Sequence, residues 1–336
     1  MRFKNIFFAA AAAMALTACS SDDEQGFVSQ FPEDGVMRFT TNLVDPTAAL
    51  TRASITGNDL NQAYQQFQVK IVNPASATYS YFNTVQHDGT EWTPYARMLW
   101  QNNTQAITVT AAYKQGKTFS DNEFVGGANL TVAADQSSQG KLNQQDLLTM
   151  PTKTIANPST ETTLLSGGKL IINFYHALTK LDVTLELKDE FFGAGQNHAT
   201  DITEVKISGT NLGYQFKAMQ TANENYGTVT PAATAVAGDI LPMQGAFTAA
   251  TAASKHSTAT SESIIVPQTI AAGALTVSFK IGTRSFSWTN TQAYTLEQGK
   301  LYTLPLTVGN DGVTAGSRAF TASYWENGTG GNLATE

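Results

Sequence analysis

Short runs in which apolar and polar residues alternate dominate the chain. Phe67, Val69 and Ile71 alternate with polar neighbours, and the same spacing recurs at residues 107–113, 275–281, 286–288 and 302–308. A period of two residues places alternate side chains on opposite faces of a β-strand. Turn-forming Gly, Asn and Pro separate the runs, and no long segment keeps an apolar stripe at helical spacing. The sequence therefore predicts an all-β protein built of β-sandwiches.

One strand segment changes the phase of its alternation. The even positions are apolar at 170, 172, 174 and 178, whereas the odd positions are apolar from Leu181 to Leu187. A shift of one residue moves the apolar face to the other side of a sheet. The change predicts either a bulge or bend near Thr179 and Lys180, or a strand that passes from one sheet or domain into another. We therefore predict a domain boundary near residue 168.

The start of the chain has the pattern of a bacterial lipoprotein signal. A short basic segment precedes an apolar run over residues 6–16, which is too short to cross a membrane as an ordinary helix. The following Leu16-Thr17-Ala18-Cys19 resembles the bacterial lipobox, in which the cysteine becomes the acylated first residue. We predict that residues 1–18 are a signal peptide, that cleavage falls between Ala18 and Cys19, and that lipid on Cys19, such as palmitate, anchors the chain in the outer membrane.

The residues after Cys19 are expected to form a lipid-anchored linker over 19–34. Cys19 is the only cysteine, so no disulfide can form within the chain. An acidic cluster at residues 22–24 resembles the surface-export signal of Bacteroidetes lipoproteins, and the alternative is a solvated acidic spacer. The remaining length suits two domains of about 150 residues each. We predict an N-terminal β-sandwich over residues 35–168 and a C-terminal β-sandwich over residues 169–336.

Charge and histidine content argue against several function classes. The net charge of −7 lacks the basic footprint of a nucleic-acid-binding protein, so we expect no nucleic-acid partner. His176 lies on the apolar side of its strand, which favours a core histidine over a metal ligand. None of the four histidines pairs with another at metal-ligand spacing, and zinc would need further cysteines. We expect no enzyme, no metal and no cofactor, although paired carboxylates of a glycosidase meet in space and stay open.

Two further features leave alternatives open. Trp92, Tyr95 and Trp100 form an aromatic group that is either buried in the first core, which the pattern favours, or exposed for stacking on sugar rings. Arg52 stands before Ala53 in a loop-like stretch. It is either a solvated arginine or a processing site for a trypsin-like protease.

Several stretches together resemble the fimbrillin family of Bacteroidetes surface lipoproteins. Their order and spacing carry the resemblance, which spans nearly the whole mature chain. It implies two transthyretin-like β-sandwich domains in tandem. The stretches are VMRFTTN (36–42) followed by TRA (51–53), DLL (146–148) before FYHALTKLDV (174–183), IVPQ (265–268) and LEQGKLYTL (296–304).

The resemblance also implies a mechanism of assembly. Such fimbrillins are exported as lipoproteins, and a protease then cuts after an arginine and removes the first strand. The open groove has an unpaired edge, which a strand of the next subunit fills by β-augmentation. Here the first strand is expected at residues 36–44 and the cut between Arg52 and Ala53. A candidate donor strand is 318–325, where Phe320, Ala322 and Tyr324 share one face; the alternative is the last strand of its own domain.

Function therefore has three competing hypotheses. The first is a structural pilus subunit or adhesin at the cell surface, in a shaft, tip or anchor role, with other pilin subunits as partners. The second is a monomeric glycan-binding surface lipoprotein, which predicts that Trp92 or Trp100 is exposed. The third is a glycosidase on a β-sandwich. The first two allow a host glycan or host protein as a further partner.

Overall fold

Strands make up almost every regular element of the chain, which confirms the all-β prediction. The computed structural model describes residues 29–44, 55–188, 202–219, 227–248, 257–309, 312–315, 321–324 and 333–334. The first nine strands are β1 (Arg38–Leu43), β2 (Gln66–Val72), β3 (Tyr81–His87), β4 (Trp92–Pro94), β5 (Ile107–Lys114), β6 (Ala128–Thr131), β7 (Leu147–Ile155), β8 (Leu165–Ser166) and β9 (Lys169–His176).

The second half of the chain carries fourteen further strands within the described residues. They are β10 (Thr179–Leu187), β11 (Ile202–Ser208), β12 (Gly213–Lys217), β13 (Thr228–Pro231), β14 (Met243–Thr248), β15 (Ser257–Ile265), β16 (Gln268–Ile270), β17 (Thr276–Ile281), β18 (Arg284–Thr289), β19 (Tyr294–Leu296), β20 (Lys300–Gly309), β21 (Gly312–Ala315), β22 (Thr321–Tyr324) and β23 (Leu333–Ala334). Helices are short: α1 (Gly57–Leu60), α2 (Asp121–Gly126), α3 (Gln139–Asn143) and a 3-10 turn at Ala77–Tyr79. No helix among the described residues is long and apolar enough to cross a membrane.

The first sheet closes into a ring. Its order is β1-β4-β3-β2-β5-β7-β9-β8, and β1 also pairs with β9, so that seven strands return to their starting point. The ring encloses a core to which β2 contributes Phe67 and Val69 and β9 contributes Ile172 and Phe174. These inward residues are the apolar members of the alternating runs, because period-two side chains on a curved sheet point alternately in and out.

The phase change in the sequence corresponds to a passage between two sheets. His176 ends β9 in the first sheet, and Thr179 begins β10 in a second sheet of order β14-β15-β10-β20-β22-β23. In β10 the odd positions, such as Leu181 and Val183, face a second core. The sheet β11-β17-β18 and the pair β16-β19 supply its other side, where Phe279 stacks on Phe286 with ring centroids 5.6 Å apart. The two-domain division near residue 168 stays a prediction.

The small sheet β13-β12-β6 joins the two halves of the chain. β6 from the first half pairs with β12 from the second, and β13 completes the order β13-β12-β6. Phe119 and Phe124 pack with Tyr214 and Phe216 in the cluster beneath it. The chain is therefore tied together by main-chain pairing and by buried aromatic side chains.

Candidate functional site

The first strand fills a seam in the ring. β1 runs parallel to β9 over six residue pairs, from Arg38 opposite Lys169 to Leu43 opposite Phe174. Its other side forms a single ladder pair with β4, Phe39 opposite Trp92. β1 is thus held mainly by β9, and it is the strand that closes the ring between β9 and β4.

β1 also contributes to the floor of the first core. Met37, just before the strand, and Phe39 within it are both buried. The Phe39 ring lies 6.2 Å from the Phe67 ring, which in turn lies 5.5 Å from Phe174 and 4.9 Å from Trp92. Aromatic pairs at these separations add to the stability gained from apolar burial. Removal of β1 would therefore expose an apolar groove as well as an unpaired strand edge.

Polar side-chain contacts hold β1 in register with β9 and β4. Asn42 donates a hydrogen bond from Nδ2 to Asn173 Oδ1 on β9 at 3.1 Å. The indole of Trp92 donates to Thr41 Oγ1 at 3.1 Å and to Asn61 Oδ1 at 3.0 Å. The Asn42–Asn173 bond is exposed, whereas the two bonds from Trp92 satisfy an indole N–H that is part-buried beside the core.

Ion pairs line the outer end of the seam. Arg38 binds Asp34 through two nitrogen–oxygen contacts of 2.9 and 2.6 Å, and this pairing holds the pKa of Asp34 well below its usual range. Lys169 pairs with Glu91 at 3.2 Å. Between β1 and the segment 93–98 the strands part and leave a cavity of about 320 Å³, lined in part by Met37. The ring is therefore incompletely closed on this side of β1.

The predicted donor strand lies in the second sheet. β22 pairs with β20 over four residues, and Ala322 is buried in the second core. Phe320 lies outside the described residues, and for Tyr324 only the backbone of the strand is described. In this state residues 321–324 pair within the second sheet, between β20 and β23, which is close to the arrangement that the sequence left as the alternative. The donor role stays a prediction.

The predicted lipidation and cleavage positions lie outside the described residues. These are Ala18 and Cys19 at the start of the chain, and Arg52 with Ala53 in the segment 45–54. That segment follows β1 and ends before Ile55, which is buried and whose amide donates to Asp146 Oδ2 at 3.4 Å. Both assignments stay predictions.

The tryptophan platform required by the glycan hypothesis is absent. Trp92 and Trp100 are only 6% and 5% exposed, and both belong to the first core. The burial that the sequence favoured is confirmed for the two indoles. Tyr95, the third member of the aromatic group, is instead 64% exposed.

Two clusters of titratable side chains are buried, one at His176 and one at Lys180. His176 is fully buried, as predicted, with Nδ1 2.9 Å from Asp146 Oδ2. Lys180 is also fully buried, and its Nζ lies 2.8 Å from Glu262 Oε2 and 3.6 Å from Asp182 Oδ1. Burial raises the pKa of Asp182 to about 7. Sequence reasoning missed this lysine cluster, because alternating charged residues in a strand are typical of a solvated face.

Both buried clusters are largely shielded from solvent. The carboxyl groups of Asp182 and Glu262 lie beside Lys180, and the two residues are only 7% and 6% exposed. The described residues contain no group of three or more His, Cys, Asp or Glu side chains that could hold a metal ion. The candidate site is the seam at which β1 closes the ring between β9 and β4.

The chain was compared with known families and structures. A family model described as fimbrillin-like matches residues 51–325. A candidate cell adhesion protein from Bacteroides ovatus aligns with a TM-score of 0.58 at 13% identity, covering 87% of this chain and 98% of its own. A second from Bacteroides uniformis aligns with a TM-score of 0.55 at 15% identity, covering 88% and 99%. The tip fimbrial protein Mfa3 from Porphyromonas gingivalis is more distant, with a TM-score of 0.42 at 8% identity, covering 80% and 96%.

At these identities the two Bacteroides structures indicate a shared fold. No curated protein sequence matches the chain.

Proposed function

Because this chain belongs to the fimbrillin-like family, we propose that it is a cell-surface fimbrial subunit or adhesin that joins its neighbours by exchange of β1. The position of β1 at the seam carries the proposal. Its six-pair ladder with β9 and single pair with β4 make it the strand whose loss opens the ring. An edge left by such a loss is a template for pairing with another chain.

The energetics suit a strand that leaves only after the chain is cut. Burial of Met37 and Phe39 contributes about 1.5–3 kcal/mol for each side chain, and each backbone hydrogen bond of the ladder adds about 0.5–1.5 kcal/mol. An intact chain therefore keeps β1 in place. After cleavage β1 is a separate peptide, and a strand that offers an apolar side chain at every second position can replace it.

We place the cut between Arg52 and Ala53, in the segment that follows β1. One cleavage there separates β1 and all residues before it from the rest of the protein. If lipid on Cys19 anchors the chain after removal of residues 1–18, the same cut releases the anchor from the outer membrane. A shaft subunit would lose its lipid in this way, whereas an anchor subunit would keep both lipid and β1.

We assign the donor role to residues 318–325. In the unassembled chain β22 is held by a four-residue ladder with β20 and by two pairs with β23. Ala322 buries little surface, so departure from β20 costs less than departure of a strand with large inward residues. Phe320 and Tyr324 alternate with it and would present larger side chains to the groove of the next subunit.

A disulfide staple tests whether β1 must leave. The experiment uses residues 20–336, which contain no cysteine. Asn42→Cys with Asn173→Cys joins two side chains that already meet across β1 and β9. After cleavage by a trypsin-like protease, the oxidised variant is expected to stay monomeric, and reduction is expected to start oligomer formation. The unstapled chain should form oligomer ladders after cleavage alone.

Two controls make the result specific. Arg52→Ala should resist cleavage at this position and remain monomeric, and the single variant Asn42→Cys should assemble like the unstapled chain. Light scattering after gel filtration measures each state. Monomers that persist after complete cleavage of the unstapled chain, or oligomers formed equally by the oxidised staple, would refute strand exchange.

A further inference from the structure

A second surface, around Gln66 at the start of β2, presents two exposed tyrosines. Tyr64 is 81% exposed and Tyr95 is 64% exposed, more than any other large apolar side chain among the described residues. Neither ring belongs to one of the three buried cores. We infer that this surface binds a neutral oligosaccharide.

The ring of Tyr95 is held across the sheet. Its amide donates to the carbonyl of Thr84 on β3 at 2.9 Å, which fixes its backbone beside that strand. Its hydroxyl accepts from Gln66 Nε2 on β2 at 2.6 Å and donates to Gln86 Oε1 on β3 at 2.9 Å. Because β3 lies between β4 and β2, the side chain must extend over β3 to reach Gln66.

A tyrosine held in this way suits a sugar ring. The negatively polarised face of an aromatic ring attracts the C–H groups on the flat side of a pyranose. A side chain already fixed by two hydrogen bonds loses little conformational freedom when a ligand stacks on it. The glutamine amides beside the ring also offer donors and acceptors for sugar hydroxyls.

Tyr64 lines a cleft together with Gln66, two residues further along the chain. Its φ of 70° is in the left-handed region, which is unusual for a bulky residue, and its amide donates to the His87 carbonyl at 2.8 Å. Such a conformation is costly and clusters at functional sites. Tyr64 and Gln66 line a polar cleft of about 310 Å³, which the segment 113–118 completes. The cleft and the Tyr95 ring therefore share Gln66.

The charges near this surface select a neutral ligand. Lys114 donates to the carbonyls of Gln144 and Gln145 at 2.5 and 3.1 Å, and burial lowers its pKa to about 8. Lys117 pairs with Glu123 at 2.6 Å. The two lysines that line the cleft thus already have partners, and a sulfate or carboxylate would have to displace them. Hydroxyl groups can instead bind the amides without breaking an ion pair.

The biological meaning of this surface rests on the surface-adhesion role proposed above, but binding itself needs neither cleavage nor assembly. Residues 20–336 would be applied to a printed array of neutral hexose and N-acetylhexosamine oligosaccharides, with sialylated and sulfated oligosaccharides alongside. The neutral oligosaccharide with the strongest signal would then be titrated calorimetrically. Tyr64→Ala and Tyr95→Ala are each expected to weaken its binding about fivefold or more. Tyr95→Phe keeps the ring and should lose less.

Matched controls separate this inference from the pilus proposal. Val236→Ala removes an exposed apolar side chain elsewhere and should bind like the original chain. Arg52→Ala should bind normally although it is expected not to assemble. All variants should keep the original thermal midpoint, because the two tyrosines are exposed. An absence of signal on every neutral oligosaccharide, signals from anionic glycans alone, or binding within twofold in both alanine variants would overturn the inference while leaving strand exchange untouched.

Discussion

Replacement of Asp182 by asparagine is expected to stabilise the protein above neutral pH. Asp182 and Glu262 are opposite residues in the ladder between β10 and β15, and both carboxyl groups are close to the single ammonium of Lys180. When all three groups are charged, the cluster has one unbalanced negative charge in a buried place. Lys180 is nearer to Glu262, so Asp182 is the weaker partner.

The pH dependence follows from the raised pKa of Asp182. Burial, with a smaller contribution from Glu262, raises it from 3.8 to about 7, whereas the unfolded chain keeps an ordinary value. Between about pH 4 and pH 7 the folded state therefore holds a proton that the unfolded state has released. Stability falls as the pH rises through this window, by up to about 4 kcal/mol at 1.36 kcal/mol per pKa unit.

Asp182→Asn removes this titration and leaves Lys180 paired with Glu262. Since asparagine resembles the protonated carboxyl group, the variant should match the original chain near pH 4. At pH 8 we expect its free energy of unfolding to be higher by about 1–4 kcal/mol, where the upper value is the full titration contribution, which already includes the attraction to Lys180. Urea denaturation at pH 4, 6 and 8 measures the difference.

Glu262→Gln is the matched contrast. It removes the nearer ion-pair partner of Lys180 and should destabilise the protein at pH 8 by about 1–3 kcal/mol, since a buried ammonium loses its closest opposite charge. Opposite signs for the two variants at pH 8 support the assignment of roles in the cluster. A destabilised Asp182→Asn variant, or an unchanged difference between pH 4 and pH 8, would refute it.

Two further stability predictions concern Phe174 in the core of the ring and the buried pair of Asp146 and His176. Phe174→Ala should cost about 3–5 kcal/mol in urea denaturation, because the ring is buried 5.5 Å from Phe67, and a loss below about 1 kcal/mol would contradict the core position. Asp146→Asn should cost about 1.5–3 kcal/mol, because it weakens the contact with His176 and the bond from the Ile55 amide; a variant as stable as the original chain would show that this buried pair contributes little.

The strands could be predicted from the sequence because each sheet has one apolar face. In β9 the inward residues are Leu170, Ile172 and Phe174, and in β10 they begin at Leu181. The change of phase after His176 left two arrangements open, a bulge or bend and a passage between sheets or domains. The pairing of β9 and β10 in different sheets decides for the passage.

The lysine cluster and the tyrosine surface could not be predicted in this way. Lys180 alternates with apolar residues in the sequence, which is typical of a solvated face. In the structure it is buried, and β15, which is distant in sequence, brings Glu262 beside it. Tyr95 looked like part of an aromatic core with Trp92, yet it follows the short strand β4 onto the outer face. In both cases long-range pairing decides the environment, and local patterns carry no information on it.

The sheet β13-β12-β6 joins the two halves of the chain at a place where opening of the ring at β1 would not separate them. In ring order β1 lies farthest from β2 and β5, and the outer side of β2 holds Phe119 through a hydrogen bond from its amide to Gln68 Oε1 at 3.1 Å. Phe119 packs on Phe216 of β12, so the connection to the second half leaves from the wall opposite the seam. Exchange of β1 would remove contacts with β9 and β4 and leave this connection intact. A subunit built in this way can replace one strand while its two cores stay joined.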